Sequence, residues 1–185
     1  MNRGRPGEPI AIPPSALVLL IGAAGSGKST FASRNFPAEA VISSDRLRMA
    51  IAGTEADQRR NHAVFEQIHR LLDQRLAAGA LTVVDATNTE WAARSELIRI
   101  ARRHGRPAAA IVLALPLELC LGRNAARARR VRPAVVSRQI AELARDIDRL
   151  DVEGLSPIYV LRSAEEVERT TVEIEKGPVA RAPLS

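Results

Sequence analysis

Short, unbroken apolar runs alternate along this chain with longer stretches in which apolar residues return every three or four positions. Residues 17–21 (Leu-Val-Leu-Leu-Ile) are apolar at every position, and residues 40–43, 81–84, 108–115 and 158–161 form similar runs of strand length. Between them, Val64, Ile68, Leu71, Leu72 and Leu76 mark one face of a helix over residues 57–78, ended by Gly79. A helix over residues 90–104 places Trp91, Leu97, Ile98 and Ala101 inward and closes at Gly105. Pro116 suits the first turn of a helix reaching about residue 127, and Val136, Ile140, Leu143, Ile147 and Leu150 set out another. Residues 28–36 form a helix after the first strand, and Ser163 with Glu166 makes a capping box for the last one.

Strands apolar throughout, separated by amphipathic helices, are covered on both faces and lie parallel. The pattern therefore predicts an α/β three-layer fold: a five-stranded parallel sheet with helices on both faces. Residues 16–176 form the domain. Residues 1–15, rich in Gly and Pro, and residues 177–185 read as a flexible leader and tail. In such folds ligands bind beyond the carboxyl ends of the strands, so the residues just after each run are the candidates for chemistry.

Composition narrows the class. With 46% hydrophobic residues in 185, the chain can bury one core. A single cysteine, Cys120, excludes an intramolecular disulfide framework and reads as a small buried hydrophobe. The longest apolar runs are under half the roughly 20 residues needed to span a bilayer, so no membrane partner is expected. Arg3 and Arg5 before residues 17–24 imitate a signal peptide, but cleavage there would cut the best motif in the chain; a cytoplasmic location is the expectation. The net charge of +6 is concentrated: residues 94–149 carry thirteen arginines against five acidic residues. Such a basic middle suits an anionic partner. It also fits a solvated arginine-rich surface, in a chain whose only lysines are Lys28 and Lys176.

The first strand runs into Gly22-Ala-Ala-Gly25-Ser26-Gly27-Lys28-Ser29-Thr30, a full G-x4-G-K-S/T phosphate loop. Its glycines let backbone N–H groups turn toward phosphate oxygens, Lys28 brings charge to the β- and γ-phosphates, and Ser29 is placed to ligate Mg²⁺. ATP and Mg²⁺ are the expected cofactors. After the second strand come Asp45 and, one turn on, Arg48. A carboxylate there can take the proton of an attacking hydroxyl, and Arg48 can hold an acceptor phosphate; the pair equally fits a helix N-cap with its own ion pair. The third strand ends in Asp85, followed by Ala86, Thr87 and Asn88. Asp85 suits the Mg²⁺ shell or the phosphate loop, or else a turn capping the next helix. Arg123, Arg127 and Arg130 are spaced to line one helix face, with Arg129 and Arg132 beside them, in a basic helical stretch after the fourth strand that resembles the lid of phosphate-loop kinases, over about residues 120–135. These charges can neutralise a transferring phosphoryl group or grip a phosphodiester backbone, and the 3% aromatic content leaves little for base stacking.

Taken together, residues 22–30, the Val41–Asp45 stretch with Arg48, residues 81–88, Arg123-Asn124 and the Tyr159–Leu161 and Glu165–Val167 segments resemble the kinase domain of the bacterial polynucleotide kinase-phosphatase. The resemblance spans about residues 17–168. It implies transfer of the ATP γ-phosphate to a 5′-hydroxyl end of RNA or DNA, with Lys28 and Ser29 on ATP–Mg²⁺, Asp45 as general base, Arg48 on the acceptor's phosphate, and Arg123 and Arg127 acting from the lid. The family enzyme is larger, so phosphatase or ligase steps would belong to separate repair enzymes. The chain departs from the family over residues 52–57 and in a lid poorer in polar groups, which bears on the acceptor. A kinase of a small-molecule or nucleoside hydroxyl, and a nucleotide-binding module without turnover, are the alternatives.

Overall fold

The computed structural model describes residues 9–51 and 58–175. Residues 52–57, the start of the expected leader and the expected tail lie outside the described residues.

The first apolar run is a strand, β2 (Leu17–Ile21), buried at every position. It follows a short strand, β1 (Ile10–Ile12), and leads into α1 (Lys28–Asn35). Then come β3 (Val41–Ser43), α2 (Ser44–Ala50), α3 (Gln58–Ala77), β4 (Thr82–Asp85), α4 (Trp91–Arg103), β5 (Ala108–Leu113), α5 (Leu117–Ala125) and α6 (Pro133–Asp146). The order ends with β6 (Ile158–Leu161), α7 (Ala164–Arg169) and β7 (Val172–Ile174). Five strands make one parallel sheet in the order β3-β4-β2-β5-β6. This is the α/β three-layer fold expected of a phosphate-loop protein.

Alternation along β2 divides the core in two. Val18 and Leu20 join Phe31, Phe36, Ile111 and Leu113 on one face; Leu17, Leu19 and Ile21 join Val64, Ile68, Leu72, Leu97 and Ile98 on the other. Each such side chain withdrawn from water contributes about 1.5–3 kcal/mol. Helix α6 contributes to both layers, Val136 to the first and Leu143 to the second.

Three expectations are corrected. Residues 10–12 are no part of a loose leader: β1 pairs in parallel with β7, and Ile10 and Ile12 are buried in the core. Trp91 faces solvent, 55% exposed, because it opens α4 one turn before the helix packs inward. The lid helix ends at Ala125 rather than near residue 127. The Asn124 side chain accepts the Val131 N–H at 3.0 Å and donates to the Val131 carbonyl at 2.7 Å, closing a loop before Pro133 starts α6. Arg127 and Arg130 therefore sit on a loop, not on a helix face shared with Arg123.

Candidate active site

Strand register brings the candidates together. Asp85 is the register partner of Leu20 on one side and of Ser43 on the other. The ends of β2, β4 and β3 are thus lateral neighbours, and the loops that leave them share one edge of the sheet.

The loop after β2 wraps tightly. Gly25 and Gly27 hold φ of 84° and 95°, left-handed values that a side chain strains to adopt. A side-chain carbon at Gly25 would also collide with the Cys120 carbonyl oxygen of α5. Gly22 donates its N–H to the Thr87 carbonyl at 3.0 Å, and Asn88 donates to the Leu20 carbonyl at 2.8 Å, so the turn after β4 braces the loop. Gly27 is the N-cap of α1. Ser26 is fully buried and Thr30 exposed.

Lys28 lies inside this loop, nearly buried. Its ammonium donates to the Gly22 and Ala23 carbonyls at 2.8 and 2.9 Å and to the Ser26 hydroxyl at 3.4 Å. Burial lowers its pKa to about 8, against the opposing field of Asp85. Ser29 donates its hydroxyl to Asp85 Oδ2 at 2.7 Å. Helix α4 has Glu90 as its N-cap, without a side-chain cap bond, so Asp85 faces the phosphate loop rather than capping that helix.

Across from Ser29, β3 turns directly into α2. The N-cap is Ser43, whose hydroxyl accepts the Arg46 N–H, so Asp45 is not the cap. Asp45 instead carries three guanidinium partners: Arg48 at 3.0 Å, Arg127 at 3.1 Å and Arg129 at 3.5 Å. The last two reach it from the loop between α5 and α6. Arg123 lies over the phosphate loop, its Nη1 3.6 Å from where a side-chain carbon on Gly27 would stand.

Ser29, Asp45, Asp85 and Arg127 line one cleft of about 240 Å³, walled on its apolar side by Phe36, Ala38 and Val41. The carboxylate after β3 and the phosphate loop thus face each other over an open gap. Arg130 and Arg132 are exposed on the lid loop. Two residues without a signal in the sequence also reach the site. Gln139 of α6 accepts the Ala24 N–H at 2.9 Å, and Arg94 of α4, fully buried, donates to the Asn88 and Thr89 carbonyls at 3.0 and 2.7 Å. Gln139 reads as an ordinary polar position beside the apolar stripe of its helix, and nothing in the spacing separates Arg94 from the exposed arginines of α4.

No curated protein sequence matches the chain. Among solved structures, it is similar to a chain of the Pnkp1/Rnl/Hen1 RNA repair complex, with 18% identity and a TM-score of 0.64, over 75% of this chain and 47% of that one. It therefore spans under half the length of that relative. It is also similar to a chain of the AvrRxo1-ORF1:AvrRxo1-ORF2 complex with ATP, with 20% identity and a TM-score of 0.65, over 83% and 55%. A gluconokinase from Sinorhizobium meliloti 1021 aligns with 18% identity and a TM-score of 0.55, over 85% and 90%. At these identities the likeness is one of fold. The model of the AAA domain family matches residues 17–150, and the chain belongs to that family of phosphate-loop proteins.

Proposed function

We propose that this chain is an ATP-dependent phosphotransferase that moves the γ-phosphate of ATP to a 5′-hydroxyl end of RNA or DNA. The observation that carries this reading is the cleft in which Asp45, ringed by Arg48, Arg127 and Arg129, faces Ser29 and Asp85. The fold likeness to a chain of an RNA repair complex supports it.

In this reading Asp45 is the general base. It takes the proton of the attacking hydroxyl as the new P–O bond forms, and the bond from the γ-phosphorus to the bridging oxygen breaks. Lys28 meets the β- and γ-phosphates, while Arg123 and Arg127 neutralise charge that develops on the transferring group. Arg48 holds the acceptor's own phosphate. Bound ATP supplies the phosphoryl group. The Ser29 hydroxyl and the Asp85 carboxylate are hard oxygen donors 2.7 Å apart, and they suit Mg²⁺, which takes few protein ligands and shares the rest with phosphate and water. Bound Mg²⁺ screens the phosphate charge. Among the described residues no helix is long and apolar enough to cross a membrane. We infer a cytoplasmic enzyme working beside separate repair enzymes.

The gluconokinase alignment, over 90% of that chain, favours a second reading as a small-molecule kinase. One assay separates the two. The protein is given Mg²⁺, ATP labelled in its γ-phosphate, and either 5′-hydroxyl oligonucleotides or small acceptors, namely neutral sugars and the singly charged sugar acid gluconate. Labelled oligonucleotide 5′ ends are expected, with an acceptor KM that rises steeply with salt as phosphate contacts are lost. A labelled sugar with a salt-insensitive KM would establish the second reading. Absence of any labelled acceptor, with ATP bound, would leave a nucleotide-binding module.

A further inference from the structure

Helix α6 presents two faces. Val136, Ile140 and Leu143 pack into the core. Gln139, Glu142 and Asp146, three and four residues apart, share a polar face. Each of these bonds a different neighbour, and only Gln139 touches the phosphate loop. Gln139 Oε1 accepts the Ala24 N–H at 2.9 Å, Glu142 accepts the Thr89 hydroxyl at 3.0 Å, and Asp146 accepts from buried Arg94 at 3.0 Å. Glu142 anchors the helix on the turn after β4, Asp146 anchors it on Arg94 of α4, and Gln139 reaches the phosphate loop itself.

The Gln139 contact stands back to back with Lys28. The Ala23 carbonyl and the Ala24 N–H belong to one planar trans peptide, so they point in opposite directions. The carbonyl accepts Lys28 Nζ at 2.9 Å and the Ser26 N–H at 3.1 Å; the N–H goes to Gln139. Gln139 therefore grips, from outside the loop, the peptide on which Lys28 rests. An acceptor on the N–H also polarises the carbonyl behind it and strengthens the bond to the ammonium.

We propose that Gln139 is a positioning residue of the phosphate site: by holding the Ala23–Ala24 peptide it sets where Lys28 stands, and it ties that position to the helix behind the lid loop. This rests on the reading of residues 22–30 as a nucleotide cradle, and not on the identity of the acceptor. Because Gln139 acts through Lys28, it matters for nucleotides that carry β- and γ-phosphates and not for those that end at the α-phosphate.

The test is a titration of the full chain with a fluorescent ATP analogue, competed by ATP and by AMP, alongside thermal melting. Gln139→Met keeps the length and volume of the side chain and removes its oxygen. ATP affinity is expected to fall about tenfold, the value of one bond to a buried backbone donor. AMP affinity is expected to stay within about twofold. A side chain that served only to pack the helix would lower the melting temperature and weaken ATP and AMP alike. Unchanged ATP affinity, or equal losses for ATP and AMP, overturns the proposal. Should Gln139→Met melt below the assay temperature, Gln139→Asn, one methylene too short to reach, carries the same expectation and the same refutation. A wild-type chain that binds no ATP refutes this proposal together with the cradle. A chain that binds ATP, loses affinity in Gln139→Met and labels no oligonucleotide refutes the acceptor reading alone.

Discussion

Arg94 and Lys28 are both cations withdrawn from water, and their surroundings differ in kind. Arg94 is fully buried, with Nε and Nη2 on Glu153 at 2.7 and 2.6 Å, Nη2 on Asp146 at 3.0 Å, and Nη1 on the Asn88 and Thr89 carbonyls. Burial works against its charge, but the bonds it donates to Glu153 and Asp146 outweigh it and hold the guanidinium above its ordinary pKa. Lys28 bonds two carbonyls and a hydroxyl, and burial takes its pKa down to about 8. A buried cation met by carboxylates fixes a scaffold. One met by neutral dipoles stands ready for an anion from outside, which is the condition a phosphate site needs.

Removing each cation should therefore have opposite consequences. Arg94→Ala strands the buried Glu153 carboxylate and leaves Asp146 with Arg145 alone, at 3.5 Å, and a loss of about 3–5 kcal/mol is expected in chemical denaturation. Arg94→Lys should recover little of it, because an ammonium cannot fork across both carboxylates and two carbonyls. If Arg94→Ala denatures like the wild type, the cluster is no scaffold and the contrast fails.

Lys28→Met should change stability by no more than about 1 kcal/mol, since release of a buried ammonium offsets the loss of its bonds to two carbonyls and a hydroxyl. The same change should lower phosphoryl transfer by about a hundredfold or more. Loss of stability comparable to that of Arg94→Ala would place the two cations in one class after all.

The smallest effect concerns pH. The folded pKa of Lys28, about 8, lies below its ordinary 10.5. Between those values the unfolded chain holds a proton that the folded one has released, so this group favours folding more as pH rises through that window. ATP affinity should move the other way and weaken above about pH 8 as the ammonium is lost. Titrations of ATP binding and chemical denaturation from pH 7 to pH 9.5, each with Lys28→Met as the reference, check the two signs. A flat wild-type profile would show that burial does not depress this lysine.

Much of this was legible in the residues. A parallel sheet covered on both faces writes unbroken apolar runs, so β2, β4, β5 and β6 announce themselves, and Lys28, Asp45 and Asp85 are conspicuous as the polar residues that end or follow such runs. Other features leave no local trace. Strands β1 and β7 are three residues each and lie at opposite ends of the chain, so their pairing is written nowhere in either segment. Arg94 takes its carboxylates from residues 146 and 153, and on its own helix it is one arginine among several. The spacing of Arg123, Arg127 and Arg130 suggested one helix face, but Asn124 bonds the backbone of Val131 and turns the chain out of the helix. The loop this makes is what lets Arg127 and Arg129 reach Asp45. The likeness to polynucleotide kinases came from the combination of motifs, because the spacing of no single motif names an acceptor.

Phosphoryl transfer in the proposed reading depends on Asp45 as the base across from the phosphate loop. Its carboxylate is about half exposed, and surface ion pairs of this sort contribute about 0–1 kcal/mol each, so Asp45→Asn should fold normally. The decisive measurement is the rate of γ-phosphate transfer to a 5′-hydroxyl oligonucleotide by Asp45→Asn, with ATP affinity measured on the same preparation. A fall of about a hundredfold to ten-thousandfold in rate, with ATP affinity within about threefold of wild type, is the expected result. Turnover near that of the wild type would contradict it.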